Sequence, residues 1–251
     1  MLEINKIHFG DCLELMKEIP DRSIDCIICD LPYGLTACLW DIIIPFNFLW
    51  DQYKRIIKNY KSIILFGQQP FTSKLILSNL EWFKYELIWE KTKACNFFQA
   101  KNMALKKHEN IIIFSDGTCA NRSSKKMVYN PQGTKNVNKI WSRPKLYESE
   151  HNFLRPSHTT NRKILQENYP GSIIKIKSEH NPPHPTQKPV ELIEYLLKTY
   201  SNENDLILDN CAGSGTTGVA CINTNRNYIL IEKEEKYYKI AKERLGEKEN
   251  G

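Results

Sequence analysis

This 251-residue chain predicts an α/β fold: a doubly wound, mostly parallel, seven-stranded sheet carrying one inserted segment. Three observations lead there. Short β-branched runs alternate with helical patterns, a glycine-rich turn joins one such run to a helix, and the alternation fails once, between about 116 and 183.

The strand-like runs are about 4–9, 24–29, 62–67, 85–89, 109–115, 206–210 and 227–232. After Pro189, residues Ile193, Leu196, Leu197 and Tyr200 recur at helical spacing on one face, with proline at the helix start. Tyr237, Ile240, Ala241 and Leu245 repeat the pattern before the charged tail EKENG. The failing segment is rich in Asn, Ser, Lys, Arg and Pro, with aromatics at Tyr129, Trp141, Tyr147, Phe153 and Tyr169. So long an irregular insertion inside a compact domain points to a functional role.

Composition excludes several classes. Hydrophobic residues make up 41% and charged residues 25%, as in ordinary globular chains. No apolar stretch approaches the about 18 residues of a membrane span. The start, MLEINKIHFGD, lacks a basic region followed by an apolar run, so no secretory leader and a cytoplasmic location are expected. Most of the eight cysteines, Cys26, Cys29, Cys211 and Cys221 among them, sit in apolar runs as small hydrophobes. Cys26 and Cys29 spell CxxC, but positions three apart on a strand face opposite ways, and no second pair has ligand spacing. No metal is expected.

Charge is unevenly spread. Residues 116–183 hold 12 Lys/Arg and 5 Asp/Glu, a net of +7, while the other 183 residues net −1. Either the segment is a solvated basic loop or it binds a polyanion. Its candidate contacts are Arg122, Lys125, Lys126, Arg143, Lys145 and Arg155.

The stretch LILDNCAGSGTTGVAC, residues 206–221, reads as a strand ending at Asp209, a turn containing Gly213, Gly215 and Gly218, and a helix. Such glycines allow close approach of a ligand to backbone amides at a helix start. Glu232 stands 23 positions beyond Asp209, at the end of the next run, where a carboxylate accepts hydrogen bonds from ribose hydroxyls. The pattern suits NAD or another adenosine cofactor. Only about 20 residues follow Glu232, however, so the rest of the sheet must come from earlier in the chain, as in a circular permutation.

In CIICDLPYG, residues 26–34, a strand ends in Asp30, Leu31, Pro32 and Tyr33. A bare proline turn would explain the spelling. So would a pocket for an exocyclic amino group on a base. Its two N–H bonds need two acceptors, which the Asp30 carboxylate and the Leu31 carbonyl provide. Pro32 adds no competing donor, and Tyr33 offers a face for stacking. Two accepted hydrogen bonds help the nitrogen pyramidalise, and Asp30 stabilises the positive charge it gains on attack.

DLPYG resembles the DPPY motif of S-adenosylmethionine-dependent amino DNA methyltransferases, and DNCAGSGTTG resembles their cofactor loop DxFxGSGTT. The motif order, with a basic segment between, resembles the β class. FGDC at 9–12, WEK at 89–91, KKHENIIIF at 106–114 and HPTQKP at 184–189 are similar too, and YGLTACLWD resembles phage-type and restriction-linked adenine enzymes. The resemblance implies a Rossmann-like fold, with 1–115 as its catalytic half, 116–183 for target recognition and 184–251 as its cofactor half. It implies transfer of a methyl group to N6 of a flipped-out adenine in double-stranded DNA. Asp30, Leu31, Pro32 and Tyr33 would form the catalytic pocket. Asp11 and Cys12 would hold the cofactor adenine, Glu232 the ribose, and the loop from Asp209 through Gly213, Gly215, Thr216 and Thr217 the methionine end. Lys188, with His184 and Thr186, would approach the cofactor carboxylate. Leu31 replaces the first proline of DPPY and Cys211 replaces a frequent phenylalanine. The aspartate opening the motif resembles the adenine enzymes, with N4 of cytosine as the alternative. A protein or RNA amino group as target, or a DNA-binding module without turnover, are the competing readings. A restriction endonuclease partner and a homodimer stay open.

Overall fold

Each of the seven expected runs forms a strand, and a short eighth joins them. The strands are β1 (Lys6–Phe9), β2 (Ile24–Cys29), β3 (Ile57–Gly67), β4 (Phe83–Cys95), β5 (Lys106–Phe114), β8 (Ile173–Lys175), β9 (Leu206–Asp209) and β10 (Asn227–Glu232), ordered β1-β10-β9-β2-β3-β5-β4-β8. A separate two-stranded antiparallel sheet pairs β6 (Lys135–Ser142) with β7 (Asn161–Glu167). The computed structural model describes residues 2–35, 41–142, 161–178 and 187–246. They fall into two units, Met1–Asn130 with Ser172–Gly251, and Pro131–Gly171.

The eighth strand corrects the expected count of seven. Ile173, Ile174 and Lys175 pair in parallel with Ile88, Trp89 and Glu90 at the sheet edge. A three-residue edge strand leaves one face open and spells no clear alternation: Ile174 is buried while Ile173 is exposed. Within the large sheet only β5 runs antiparallel, against β3 and β4.

Double winding follows from two separate cores. On one face pack α4 (Val190–Tyr200), α5 (Thr216–Asn223) and α6 (Glu235–Arg244). On the other lie α1 (Cys12–Leu15), α2 (Phe46–Ile56) and α3 (Phe71–Ser78). Every residue of β2 is buried, the signature of a central parallel strand covered on both sides. Cys26 enters the first core and Cys29 the second, as period two requires.

The helices read from sequence are present, with one change of face. In α4, Leu192, Ile193, Leu196, Leu197 and Tyr200 are buried, so Leu196→Ala would cost about 2–5 kcal/mol in lost packing. In α6 and the residue that caps it, the core stripe is Tyr238, Ala241 and Leu245, and neither Tyr237 nor Ile240 of the expected stripe joins it. Tyr237 instead lines a cavity at the sheet's carboxyl edge. Among the described residues no helix is long and apolar enough to cross a membrane.

The described part of the smaller unit is a two-stranded antiparallel sheet held by its own contacts. Lys139 Nζ lies 2.6 Å from Glu167 Oε2, and Asn168 Nδ2 donates to the Gly133 carbonyl at 2.6 Å. It spans less than the basic segment, because 116–130 and 172–178 belong to the larger unit.

Candidate active site

β2 and β9 are parallel neighbours, with Ile27 opposite Leu208, so the residues after them emerge side by side. From β9 the chain turns into α5 on one face of the sheet; the helix after β2, α2, covers the other. This is the switch point at which open α/β sheets bind ligands. One cavity lies there, walled by the ends of β1, β2, β3, β9 and β10 and by the start of β5.

Asp30 follows β2 directly. Tyr33 Oη donates to its Oδ1, and Lys188 Nζ donates to its Oδ2. The Lys188 ammonium is buried and also lies 3.2 Å from Glu109 Oε2. Lys91 pairs with the other oxygen, Oε1, to which Gln68 also donates at 3.0 Å. Two carboxylates and two ammonium groups thus form one chain, Asp30–Lys188–Glu109–Lys91.

Each charge is held by its neighbours. Burial works against the Glu109 carboxylate, yet Lys188 and Lys91 overcome it and hold the group down at about 2. Desolvation also works against the Lys188 ammonium, but Asp30 and Glu109 hold its pKa above the ordinary value. Burial raises the Asp30 carboxyl, and Lys188 opposes the rise. Its side chain is 25% exposed, and the ammonium on one oxygen and the phenol O–H on the other both favour the carboxylate form.

The turn after Asp30 is built rather than loose. Leu31 buries its side chain in the second core, which accounts for leucine where a proline is usual. The Tyr33 ring packs on Phe71 with centroids 5.0 Å apart. Asp41, itself buried, accepts from the amides of Gly34 at 2.8 Å and Leu35 at 2.9 Å.

Across the cavity stands the glycine loop. Asp209 accepts from the Thr217 hydroxyl at 2.5 Å and the Cys211 amide at 3.1 Å, and burial raises its carboxyl to about 6. Glu232 accepts from the amides of Gly213 at 2.7 Å and Glu234 at 2.8 Å. Ser214 donates to Gln187 Oε1 at 2.6 Å, and Arg244 from α6 donates to the Ser214 carbonyl at 2.7 Å. At the end of β1, Asp11 caps α1 by accepting the Leu13 amide at 2.9 Å.

Most residues singled out from sequence meet here. Asp11, Cys12, Asp30, Leu31, Pro32, Tyr33, Lys188, Asp209, Gly213, Thr216, Thr217 and Glu232 all line the cavity. Lys188 does so while paired with Asp30, a contact its sequence spacing did not announce.

Gly215 is not in the wall. It caps α5 at φ +77°, and a Cβ there would meet the Ala241 Cβ at 2.9 Å. Gly218 belongs to the helix rather than the turn, pressed against Leu230 and Leu245. Arg122, Lys125 and Lys126 are exposed on a turn of the larger unit closed by the Thr118 amide donating to the Lys125 carbonyl at 2.8 Å. His184, Thr186, Arg143, Lys145 and Arg155 lie outside the described residues.

Sequence reasoning passed over Glu109 and Asp41. Glu109 stands directly before the buried run NIIIF in a quoted motif, and a carboxylate opening such a strand was the available signal. Asp41 carried none beyond its place in YGLTACLWD.

A family model described as DNA methylase (N6_N4_Mtase) matches residues 24–243. Among curated relatives, the type II methyltransferase M.HinfI of Haemophilus influenzae is 28% identical over 97% of this chain and 69% of its own length. M1.MboII of Moraxella bovis is 25% identical over 96% of each chain. A solved structure of M1.HpyAVI with SAM superposes at TM-score 0.64 with 24% identity, covering 96% of this chain and 98% of that one. PvuII DNA methyltransferase, cytosine-N4-specific by its title, superposes at 0.66 with 14% identity, covering 98% and 87%.

Proposed function

We propose that this chain, which belongs to the DNA methylase family of N6/N4 amino methyltransferases, methylates N6 of an adenine rotated out of double-stranded DNA. The chain is an S-adenosylmethionine-dependent DNA methyltransferase, and the choice of adenine rests on the aspartate that opens DLPY. One observation carries the proposal. Asp30 to Tyr33 and the glycine loop face one cavity from adjacent strand ends.

The cavity's donor set fits S-adenosylmethionine. Asp11 and Glu232 provide carboxylates at the β1 and β10 ends, as a nucleoside requires. Each Glu232 oxygen takes one backbone N–H and keeps a further lone pair for ribose hydroxyls. The loop from Asp209 to Thr217 would hold the methionine end. When bound, the sulfonium supplies an electrophilic methyl group.

The protein's part is to prepare the nitrogen. Asp30 accepts one amino N–H and the Leu31 carbonyl the other, which frees the lone pair for attack. Asp30 then stabilises the charge that nitrogen gains, and the one N–H proton the methylated nitrogen must lose leaves along the Asp30 hydrogen bond to solvent, which reaches the 25% exposed side chain. Lys188 must first yield the Asp30 oxygen it occupies, and Glu109, 3.2 Å away, is the acceptor that receives it.

Target recognition is assigned to 116–183 on the strength of its net charge of +7, with Arg122, Lys125, Lys126, Arg143, Lys145 and Arg155 on phosphates or base edges. The type II names of the relatives favour a restriction endonuclease partner reading the same site.

The test compares parent and Asp30→Ala in transfer of labelled methyl to DNA and in S-adenosylmethionine binding. The expected result is a loss of roughly hundred-fold or more in rate with binding retained. Near-parental turnover in the variant would remove Asp30 from the chemistry.

A further inference from the structure

The hairpin between β4 and β5 carries an unexplained surface. Residues 91–107 contain five lysines and no acid, a concentration hidden by the near-neutral total outside 116–183. Three of the five are committed: Lys91 to Glu109, Lys106 to Gln68, and Lys107 to Glu90 at 3.0 Å. Lys93 and Lys101 stand exposed beside the tip. Between them Phe97 is 67% exposed and Phe98 82%, the latter the most exposed large apolar side chain among the described residues.

Fraying does not explain that exposure. The tip is tied by its own hydrogen bonds: the Gln99 amide donates to the Asn96 carbonyl at 2.9 Å, Ala100 to Phe97 at 3.1 Å and Asn102 to Gln99 at 2.8 Å. Asn96 opens this turn in the left-handed region, at φ 66°. An ordered loop that spends two phenylalanines on solvent is built to meet something.

Its place narrows the partner. Trp89 pairs with Glu109, which lines the cavity, and Cys95 pairs with Lys106. The hairpin therefore leaves the sheet at the cavity's own edge, with Lys106 about 10 Å beyond Glu109 along the strand. Exposed cations flanking flat apolar rings suit a polyanion with stacked bases.

We propose that this tip is a second DNA-contact surface, in which Lys93 and Lys101 hold phosphates and Phe97 and Phe98 stack where the target base has left the duplex. The inference rests on the proposed function and adds a role for a segment outside 116–183. Rotating a base out removes its stacking neighbours, and rings supplied by the protein replace them.

The test uses the full chain carrying Phe97→Ala with Phe98→Ala, Phe98→Trp alone, or Lys93→Ala with Lys101→Ala. Substrates are a matched duplex, and one with the target base opposite an abasic site. The alanine pair should lower kcat/KM on matched duplex by about ten-fold or more, with S-adenosylmethionine affinity unchanged. The abasic duplex should restore most of that loss, and Phe98→Trp should retain activity. The lysine pair should flatten the log–log salt dependence of DNA binding by roughly two units. Parental rates for the alanine pair on matched duplex overturn the proposal, as does an equal loss on both duplexes. So does a shift from dimer to monomer with DNA binding intact, which would make the tip a contact between two copies of this chain. If the parent methylates no DNA, the proposed function fails instead, and the two failures are thereby distinct.

Discussion

In the proposed reaction, Asp30 is held by the side chains it would give up. Lys188 and Tyr33 donate one hydrogen bond each to its two oxygens, so the amino group of a base would, on the proposed function, have to displace a bond already made. Glu109 makes that exchange inexpensive, because the ammonium already lies 3.2 Å from its Oε2, a buried atom that lacks a hydrogen bond of good geometry. Glu109→Gln should lower the methylation rate about ten-fold or more while S-adenosylmethionine binding persists, since a neutral amide receives the cation poorly. Stopped-time assays with binding measured alongside check this, and an unchanged rate would show that Lys188 needs no second acceptor. The same residue sets a pH dependence. Its carboxyl is held at about 2 against an ordinary value near 4.5, so between those limits the unfolded chain binds more protons than the folded one. Stability should fall as pH drops through that window. Glu109→Gln should remove that part of the slope in urea titrations repeated across the acid range.

At the scale of elements, the glycine loop shows how far spelling reaches. The order strand, turn, helix and terminal carboxylate was legible because each step has a residue preference, and Asp209, Gly213 and Glu232 stand in the cavity wall as the pattern requires. What Gly215 does was not legible, because its nearest neighbour, Ala241, comes from a helix 26 positions further on. Gly215→Val should therefore act through α6 and through its φ of +77° rather than by filling the ligand's space. A loss of about 1–3 kcal/mol is expected from backbone strain and the clash, with weaker cofactor binding as a consequence. Thermal melts with and without S-adenosylmethionine measure both, and parental stability with selectively lost binding would restore the simpler reading. Tyr237 and Tyr238 teach the same lesson. Helical spacing found the stripe through Ala241 and Leu245, but which of two adjacent tyrosines joins it depends on packing against β1 and β10. The edge strand β8 escaped notice because three residues with one buried side chain carry too little pattern.

For the whole molecule, charge and chemistry occupy different stretches of chain. The cavity draws on both ends of the sequence, Asp11 and Asp30 from one and Lys188, Asp209 and Glu232 from the other, as a permuted order demands. The excess positive charge lies between them, in 116–183. Neutralising Lys125 and Lys126, both exposed, should weaken binding to all DNA sequences and flatten the salt dependence by roughly two units of log–log slope. A salt series on parent and double variant decides it, and an unaltered slope would take this pair off the DNA.

The most direct measurement is of the product itself. DNA incubated with the protein and S-adenosylmethionine, hydrolysed to nucleosides, separated against isomeric methylated standards and weighed, should contain adenine with one added methyl on its exocyclic nitrogen, and Asp30→Ala should yield essentially none. Methyl groups on a ring carbon of cytosine, or equal product from the variant, would contradict an amino group activated by Asp30.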